Sequence, residues 1–90
     1  MPDVRLPTVL RPHAGGQSNV HANGGTLDEV IGDLVRQFPN LAGRIKSDDG
    51  AIHRFVNVYV NDEDVRYLKG LDTEVTSGDV VAIVPAVAGG

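Results

Sequence analysis

The segment between Thr26 and Pro39 carries the strongest structural signal in the sequence. Thr26 and Glu29 have the spacing of a capping box, in which each side chain accepts a hydrogen bond from the other residue's free backbone N–H. Pro39 ends the pattern because proline cannot continue a helix. Apolar residues recur at helical spacing between these limits, at Leu27, Val30, Ile31, Leu34, Val35 and Phe38. The segment is therefore predicted to form one amphipathic helix that buries its apolar stripe against a sheet.

Period-two patterns on both sides of this helix predict strands. The predicted strands cover residues 4–10, 17–22, 55–60, 65–67 and 79–84. Pro7 predicts a bulge or an unpaired position in the first strand, since proline donates no hydrogen bond. Turns are predicted at 12–16 and 61–64, a short helical turn at 41–45 and a mobile loop at 46–50. In the strand at 55–60, the valines are expected to face the helix, with Phe55, Asn57 and Tyr59 on the opposite face.

The element order is hairpin, helix and three further strands, which predicts an α+β fold with a mixed sheet and one main helix on one face. If the first and last strands pair in parallel at the centre, the arrangement is the β-grasp, or ubiquitin-like, fold. Pattern alone leaves the strand order open. Ninety residues provide one modest core. We expect a single domain over residues 1–85 and a flexible tail over 86–90.

Composition narrows the classes of function. The formal net charge is −4 and the pI about 5.1, which argues against nucleic acid or an anionic membrane as partner and favours a partner with a basic docking surface. The chain has no cysteine, so disulfides, thiolate metal sites and a cysteine nucleophile are excluded. Residues 1–7 lack the apolar run of a signal peptide and no segment has membrane-spanning length, so we expect a soluble cytoplasmic protein.

The end of the sequence, Ala86 to Gly90, has small side chains and no charge except the terminal carboxylate. The two final glycines, Gly89 and Gly90, place no Cβ near that carboxylate, so a nucleotide phosphate or a nucleophile can approach it closely. Five extended residues reach about 16 Å, enough to enter the active site of another enzyme. The alternative interpretation is an ordinary frayed end, which a glycine pair alone does not exclude.

Several segments resemble one known family, the molybdopterin-synthase small subunit and thiamine sulfur-carrier family (MoaD/ThiS). The resemblance lies in residues 56–61 (VNVYVN), 77–81 (SGDVV) and the ending 84–90 (VPAVAGG). Residues 6–13 and 53–57 also resemble the actinobacterial members that serve cysteine biosynthesis, so the likeness covers nearly the whole chain.

The resemblance implies a sulfur carrier that works through its own C-terminus. An E1-like adenylyltransferase and sulfurtransferase uses ATP to adenylate the carboxylate of Gly90, and sulfur then replaces AMP to give a thiocarboxylate. In the cysteine-pathway relatives, the thiocarboxylate attacks an aminoacrylate on a PLP-dependent cysteine-synthase-type enzyme, and a metalloprotease releases the cysteine. The carrier itself is expected to bind no cofactor.

The residues themselves give no sign of an enzyme. The sequence lacks a phosphate-binding Gly-x-x-x-x-Gly-Lys-[Ser/Thr] loop, and no nucleophile has a recognisable paired base. The three histidines, His13, His21 and His53, lack metal-ligand spacing, and Asp62 to Asp64 read as a solvated turn.

Partners are expected to dock on the sheet face away from the helix and on the tail, through Phe55, Tyr59, Ala82, Val84, Val87 and Ala88. Ordinary exposure of single apolar residues is the alternative explanation for Tyr59 and Val84. The sulfur could end in cysteine, molybdopterin, thiamine or another thio-metabolite. The chain could instead be a ubiquitin-like protein modifier, or a binding module that only inserts its tail.

Overall fold

The computed structural model describes residues 1–86, which form a five-stranded sheet and one α-helix. The strands are β1 (Asp3–Arg5), β2 (Asn19–His21), β3 (Val56–Val60), β4 (Glu63–Asp64) and β5 (Val80–Pro85), and the helix is α1 (Leu27–Gln37). Short 3-10 helices occupy the connections, at Arg11–Ala14, Pro39–Leu41, Val65–Tyr67 and Gly70–Asp72. No helix within this range has the length and apolar character needed to cross a membrane.

The sheet has the strand order β2-β1-β5-β3-β4. The first and last strands pair in parallel at its centre, with Val4 opposite Val81. The other neighbouring strands are antiparallel, including β1 with β2 and β5 with β3. This is the β-grasp arrangement, and the predicted fold class is confirmed.

The hydrophobic core lies between α1 and one face of the sheet. The helix contributes four buried residues, Leu27, Val30, Ile31 and Leu34. The sheet contributes Val4, Val58, Val60, Val81 and Ile83, all less than 10% exposed. Val56 is partly buried and packs against the same cluster, so all three β3 valines face the helix as predicted. Removing this apolar surface from water is the main favourable contribution to folding.

The ends of α1 follow the sequence signals, with one difference at the cap. The Thr26 side chain accepts a hydrogen bond from the Glu29 N–H at 3.3 Å. The Glu29 carboxylate accepts from the N–H of Gly25 at 2.8 Å, so the predicted reciprocal bond to Thr26 is wrong by one residue. At the other end the helix stops at Gln37, and Pro39 opens a 3-10 turn.

The predicted strand at 4–10 is wrong beyond its first residues. Leu6 donates its N–H to the carbonyl of Ser18 at 2.8 Å, and Pro7 has no N–H with which to continue the pairing. The N–H of Leu10 then bonds to the carbonyl of Pro7, and the predicted turn at 12–16 is largely a 3-10 helix. Leu6 and Leu10 are both buried. The apolar pattern that they form with Val4 therefore indicates burial in the core and not a continuous strand.

The predicted strand at 65–67 is also wrong, because these residues form a 3-10 helix. The Asp64 carboxylate accepts a hydrogen bond from the Arg66 N–H at 2.9 Å and caps that turn. The strand partner of β3 is instead β4, formed by residues predicted to be a turn. The actual turn is restricted to Asn61 and Asp62, whose φ angles of 50° and 72° are left-handed, a conformation that Asn and Asp adopt more readily than most residues.

Asn61 ties the end of β3 to the start of β5. Its side-chain amide donates to the Asp79 carboxylate at 2.8 Å and accepts from the Val80 N–H at 3.0 Å. Asp79 also accepts from the N–H of Thr76 at 2.8 Å. The Asn61 amide, followed by the Thr76 N–H, lowers the pKa of the Asp79 carboxyl below its usual 3.8.

This network predicts a pH effect on stability. Because the pKa of Asp79 is lower in the folded chain than in the unfolded chain, the ionised carboxylate stabilises the fold above the unfolded value, and the contribution disappears as the pH falls through the folded value. We expect Asp79→Asn to reduce the loss of unfolding free energy as the pH falls below about 4. Urea unfolding at a series of pH values measures this slope, and an unchanged slope would contradict the assignment.

A matched pair of glycine substitutions tests the packing at the start of α1. A Cβ on Gly24 would lie 2.6 Å from the backbone nitrogen of Val30, whereas a Cβ on Gly32 would have no heavy atom within 4 Å. We expect Gly24→Ala to lower the unfolding free energy by about 1–3 kcal/mol. Gly32→Ala should raise it by about 1 kcal/mol, since alanine favours a helix over glycine. Equal effects in thermal or urea unfolding would refute the predicted clash.

Candidate functional site

The root of the C-terminal tail is fixed in the centre of the sheet. β5 lies between β1 and β3, and its last residue, Pro85, pairs with Val56. The N–H of Ala86 donates to the carbonyl of Phe55 at 2.8 Å. The first residue of the predicted tail is therefore still hydrogen-bonded to the residue that precedes β3. The other predicted tail residues, Val87, Ala88, Gly89 and Gly90, lie outside the described residues.

The sheet face away from α1 carries most of the predicted docking residues. Ala82 and Val84 alternate with the buried Val81 and Ile83, and Ala82 lies opposite Tyr59 in the register of β5 and β3. Tyr59 and Ala82 are partly exposed, and Val84 is 39% exposed. We call Tyr59, Ala82 and Val84 the outer strip. Its docking role stays a prediction.

Ion pairs border the outer strip on both sides. On the β1 side, Asp3 accepts from the side-chain amide of Asn19 at 3.0 Å and pairs with Arg5 at 3.7 Å. On the β4 side, the Arg66 guanidinium donates to Oδ1 and Oδ2 of Asp64, which lies directly opposite Tyr59. The Arg66 side chain lowers the pKa of the Asp64 carboxyl. These charges are therefore largely satisfied within the chain, and the strip between them is apolar.

Phe55 lies at the rim of the sheet beside the tail root. Its side chain is 47% exposed. Its ring centroid lies 5.2 Å from that of His53, and the Arg54 guanidinium carbon lies 5.1 Å from its centroid, within cation–π range. The ring also lines a groove together with Val9 and Arg44. Phe55 therefore connects the predicted docking residues to a loop surface that the sequence interpretation did not include.

The rim contains residues that the sequence interpretation missed, namely Val9, Arg44 and Arg54. Val9 is 65% exposed although it lies among apolar residues. The exposure of a single apolar residue in such a stretch cannot be predicted from the sequence. Nor does sequence spacing indicate that residues 9, 44 and 54 meet. Within residues 1–86, no group of three or more His, Asp or Glu side chains is placed to hold a metal ion.

The separation of the two sheet faces predicts different effects for neighbouring β5 residues. Ile83→Ala should lower the unfolding free energy by about 2–5 kcal/mol because Ile83 is almost fully buried. Val84→Ala should change it by less than about 0.5 kcal/mol, since its side chain stands on the outer strip. Urea unfolding of both variants tests the assignment, and a large loss in Val84→Ala would show that this side chain is packed.

Comparisons with known proteins agree with this geometry. The model of the ThiS family matches residues 4–90. The chain is 54% identical over 89 residues to the sulfur carrier protein CysO of Mycobacterium tuberculosis, covering 97% of this chain and 96% of that protein. It is 35% identical over 78 residues to small archaeal modifier protein 3 of Haloferax volcanii, covering 83% of this chain and 84% of that protein.

Among solved structures, the chain is similar to a chain in the crystal structure of the BexX/CysO complex of Amycolatopsis orientalis. The TM-score is 0.91 at 47% identity, and each chain is covered completely.

Proposed function

Because the chain belongs to the ThiS family, we propose that its Gly90 carboxylate is adenylated and thiocarboxylated and then donates sulfur, most directly to the synthesis of cysteine. The chain is a small sulfur carrier protein of the CysO type. We propose that it has no catalytic activity of its own. The observation that carries the proposal is the 54% identity to CysO over 97% of the chain. The family match also extends through residue 90.

The proposed chemistry uses the chain as an acyl donor. The Gly90 carboxylate oxygen attacks the α-phosphorus of ATP, and pyrophosphate leaves. Hydrosulfide then attacks the acyl carbon of the adenylate, AMP leaves with the acyl C–O bond broken, and a thiocarboxylate remains. Adenylation is needed because a carboxylate is a poor electrophile without a good leaving group. ATP is consumed by the activating partner, and the carrier contributes an unhindered Gly89-Gly90 end.

The fixed tail root sets how partners must approach. Four residues follow Ala86, so the terminal carboxylate lies at most about 14 Å from the sheet edge. A partner that receives this carboxylate in its active site must therefore contact the body of the carrier as well. The outer strip of Tyr59, Ala82 and Val84 is apolar and adjoins the root, which suits it as the common docking face.

The proposed partners act in sequence on the same terminus. An E1-like adenylyltransferase and sulfurtransferase charges it, a PLP-dependent cysteine-synthase-type enzyme consumes the thiocarboxylate, and a metalloprotease restores the free end. We place this cycle in the cytoplasm and assign no cofactor to the carrier itself. The solved structure that contains a similar chain is likewise that of a complex of two proteins, BexX and CysO.

The 35% identity to small archaeal modifier protein 3 supports a second candidate function, the modification of other proteins. The same activated carboxylate would then be joined to a lysine amine. Stable lysine adducts ending in the carrier's C-terminal peptide, detected by mass spectrometry of cell extracts, would favour this function. A carrier restricted to biosynthesis gives thiocarboxylate without such adducts.

Deleting Gly90 tests the role of the terminus. The deletion shortens the tail by about 3.5 Å and withdraws the carboxylate from the adenylating centre. We expect the charging rate to fall by about 100-fold or more, since misplacement by about 1 Å can cost that much. The measurement is the intact mass after incubation with ATP, an E1-like activating enzyme and a sulfur source, where charging replaces one oxygen by sulfur.

Two observations accompany this measurement. The thermal unfolding curve of the deletion variant should match that of the intact chain, because the β5 residues that pair with β1 and β3 lie five or more positions before Gly90 and are unchanged. If the intact chain stays uncharged beside a demonstrably active enzyme, the carrier proposal is wrong and insertion of an uncharged tail becomes the better explanation.

A further inference from the structure

A groove of about 280 Å³ lies beside the tail root, apart from the outer strip. It is formed by three loops that the fold brings together: the turn before the first 3-10 helix, the turn at 43–44 and the segment before β3. The lining residues are Val9, Leu10, Gly43, Arg44, His53, Phe55 and Val56. We call this surface, together with Arg54, the rim groove. Val9 at 65% exposure and Phe55 at 47% give it an apolar centre.

The rim groove also carries positive charge that the described residues do not neutralise. Arg44 donates through Nε to the Asn40 carbonyl at 3.0 Å, and Arg54 lies over the Phe55 ring. Within residues 1–86, neither guanidinium has a carboxylate within 4.0 Å, whereas four other cations, Arg5, Arg36, Lys46 and Arg66, each have one.

A carboxylate does lie near the rim groove, but it is already engaged. Asp49 lines the adjoining groove with Arg54 and Phe55. Its Oδ1 accepts hydrogen bonds from both the Ser47 hydroxyl and the Ala51 N–H, which lower the pKa of its carboxyl. Asp49 therefore stabilises its own loop, and the guanidinium groups remain available to carboxylates from another molecule.

The position of the rim groove indicates which molecule supplies the carboxylates that bind Arg44 and Arg54. Phe55 both lines the groove and accepts the Ala86 N–H, so the groove adjoins the tail root. With at most about 14 Å between this root and the Gly90 carboxylate, an enzyme holding that carboxylate must place the mouth of its active site near the groove. The groove is thus in a position to contact the enzyme during charging.

We propose that the rim groove is a docking subsite for the enzyme that adenylates Gly90, and that it receives an apolar side chain flanked by carboxylates. The apolar side chain packs on Val9 and Phe55. The carboxylates accept charge-assisted hydrogen bonds from Arg44 and Arg54. This subsite rests on the proposed function and adds to it the chemistry of the partner's contact surface. Its charged contacts favour association more than the chemical step.

The test compares single charge reversals at matched cations. Arg44→Glu and Arg54→Glu alter the rim groove, and Lys69→Glu reverses another cation without a carboxylate within 4.0 Å among residues 1–86. Lys69 lies near Thr73, and the carbonyl of Thr73 accepts a hydrogen bond from the N–H of Leu27 at the start of α1. This region is at the end of the sheet away from the tail root. All three side chains are exposed, so each variant should fold, and thermal unfolding is measured as the check.

Charging kinetics provide the measurement, with the full chain as the varied substrate of the purified E1-like activating enzyme of the source organism, ATP and sulfide. We expect KM to rise about five- to tenfold in Arg44→Glu and Arg54→Glu with kcat within about twofold, and to stay within about twofold in Lys69→Glu. Added salt should raise KM more for the wild-type chain than for either rim variant. Val9→Ser should raise KM about threefold or more through the apolar contact.

The outcomes separate the two proposals. If the wild-type chain is charged and the rim variants behave like Lys69→Glu, the carrier function stands and the subsite is overturned. If Arg44→Glu lowers KM, the groove holds the chain's own terminal carboxylate in the free carrier, which also overturns the subsite. If the wild-type chain is not charged, the carrier proposal falls, and the subsite falls with it.

Discussion

The parallel pairing of β1 with β5 is the interaction on which the rest of the molecule depends. It joins the first and last strands, and it places Val4 and Val81 side by side beneath α1. Without it, the β1–β2 hairpin and the β3–β4–β5 unit would each expose an apolar face. Such a pairing closes a long loop and is entropically expensive, so it needs the shared core with α1 to offset that cost. Its functional consequence is that the strand leading to the tail is held on both sides.

The sequence predicts the parts of the fold in which period and burial agree. α1 was predicted between its true cap and stop because the apolar stripe, Thr26 and Pro39 all indicate the same limits. The faces of β3 and β5 were predicted because alternation over five or six residues is specific for a half-buried strand. The segments at 4–10 and 65–67 were predicted wrongly for a shared reason. Leu6, Leu10 and Val65 lie outside the strands, in turns or a 3-10 helix, but their side chains are buried in the core. Such buried residues produce a short apolar pattern that resembles a strand.

The candidate site divides in the same way. The outer strip could be predicted because Tyr59, Ala82 and Val84 follow from strand alternation alone. The rim groove could not, because Val9, Arg44 and Arg54 come from separate loops whose proximity depends on the complete topology. Glu29 illustrates the limit on a smaller scale. Its spacing identified a helix cap, but the choice of Gly25 as donor depends on the path of the chain before the helix.

Net charge is a poor guide to the partners of this chain because its charges are unevenly placed. The value of −4 favours a partner with a basic surface, and the turn after β3 and the start of β5 do carry Asp62, Glu63 and Asp79. That acidic end lies opposite the tail root, since β5 runs from it to Pro85. At the root, the cations Arg44 and Arg54 have no carboxylate within 4.0 Å among residues 1–86. An enzyme that binds the tail comes close to these cations first, because interactions between exposed charges are largely screened beyond about 8 Å at physiological salt.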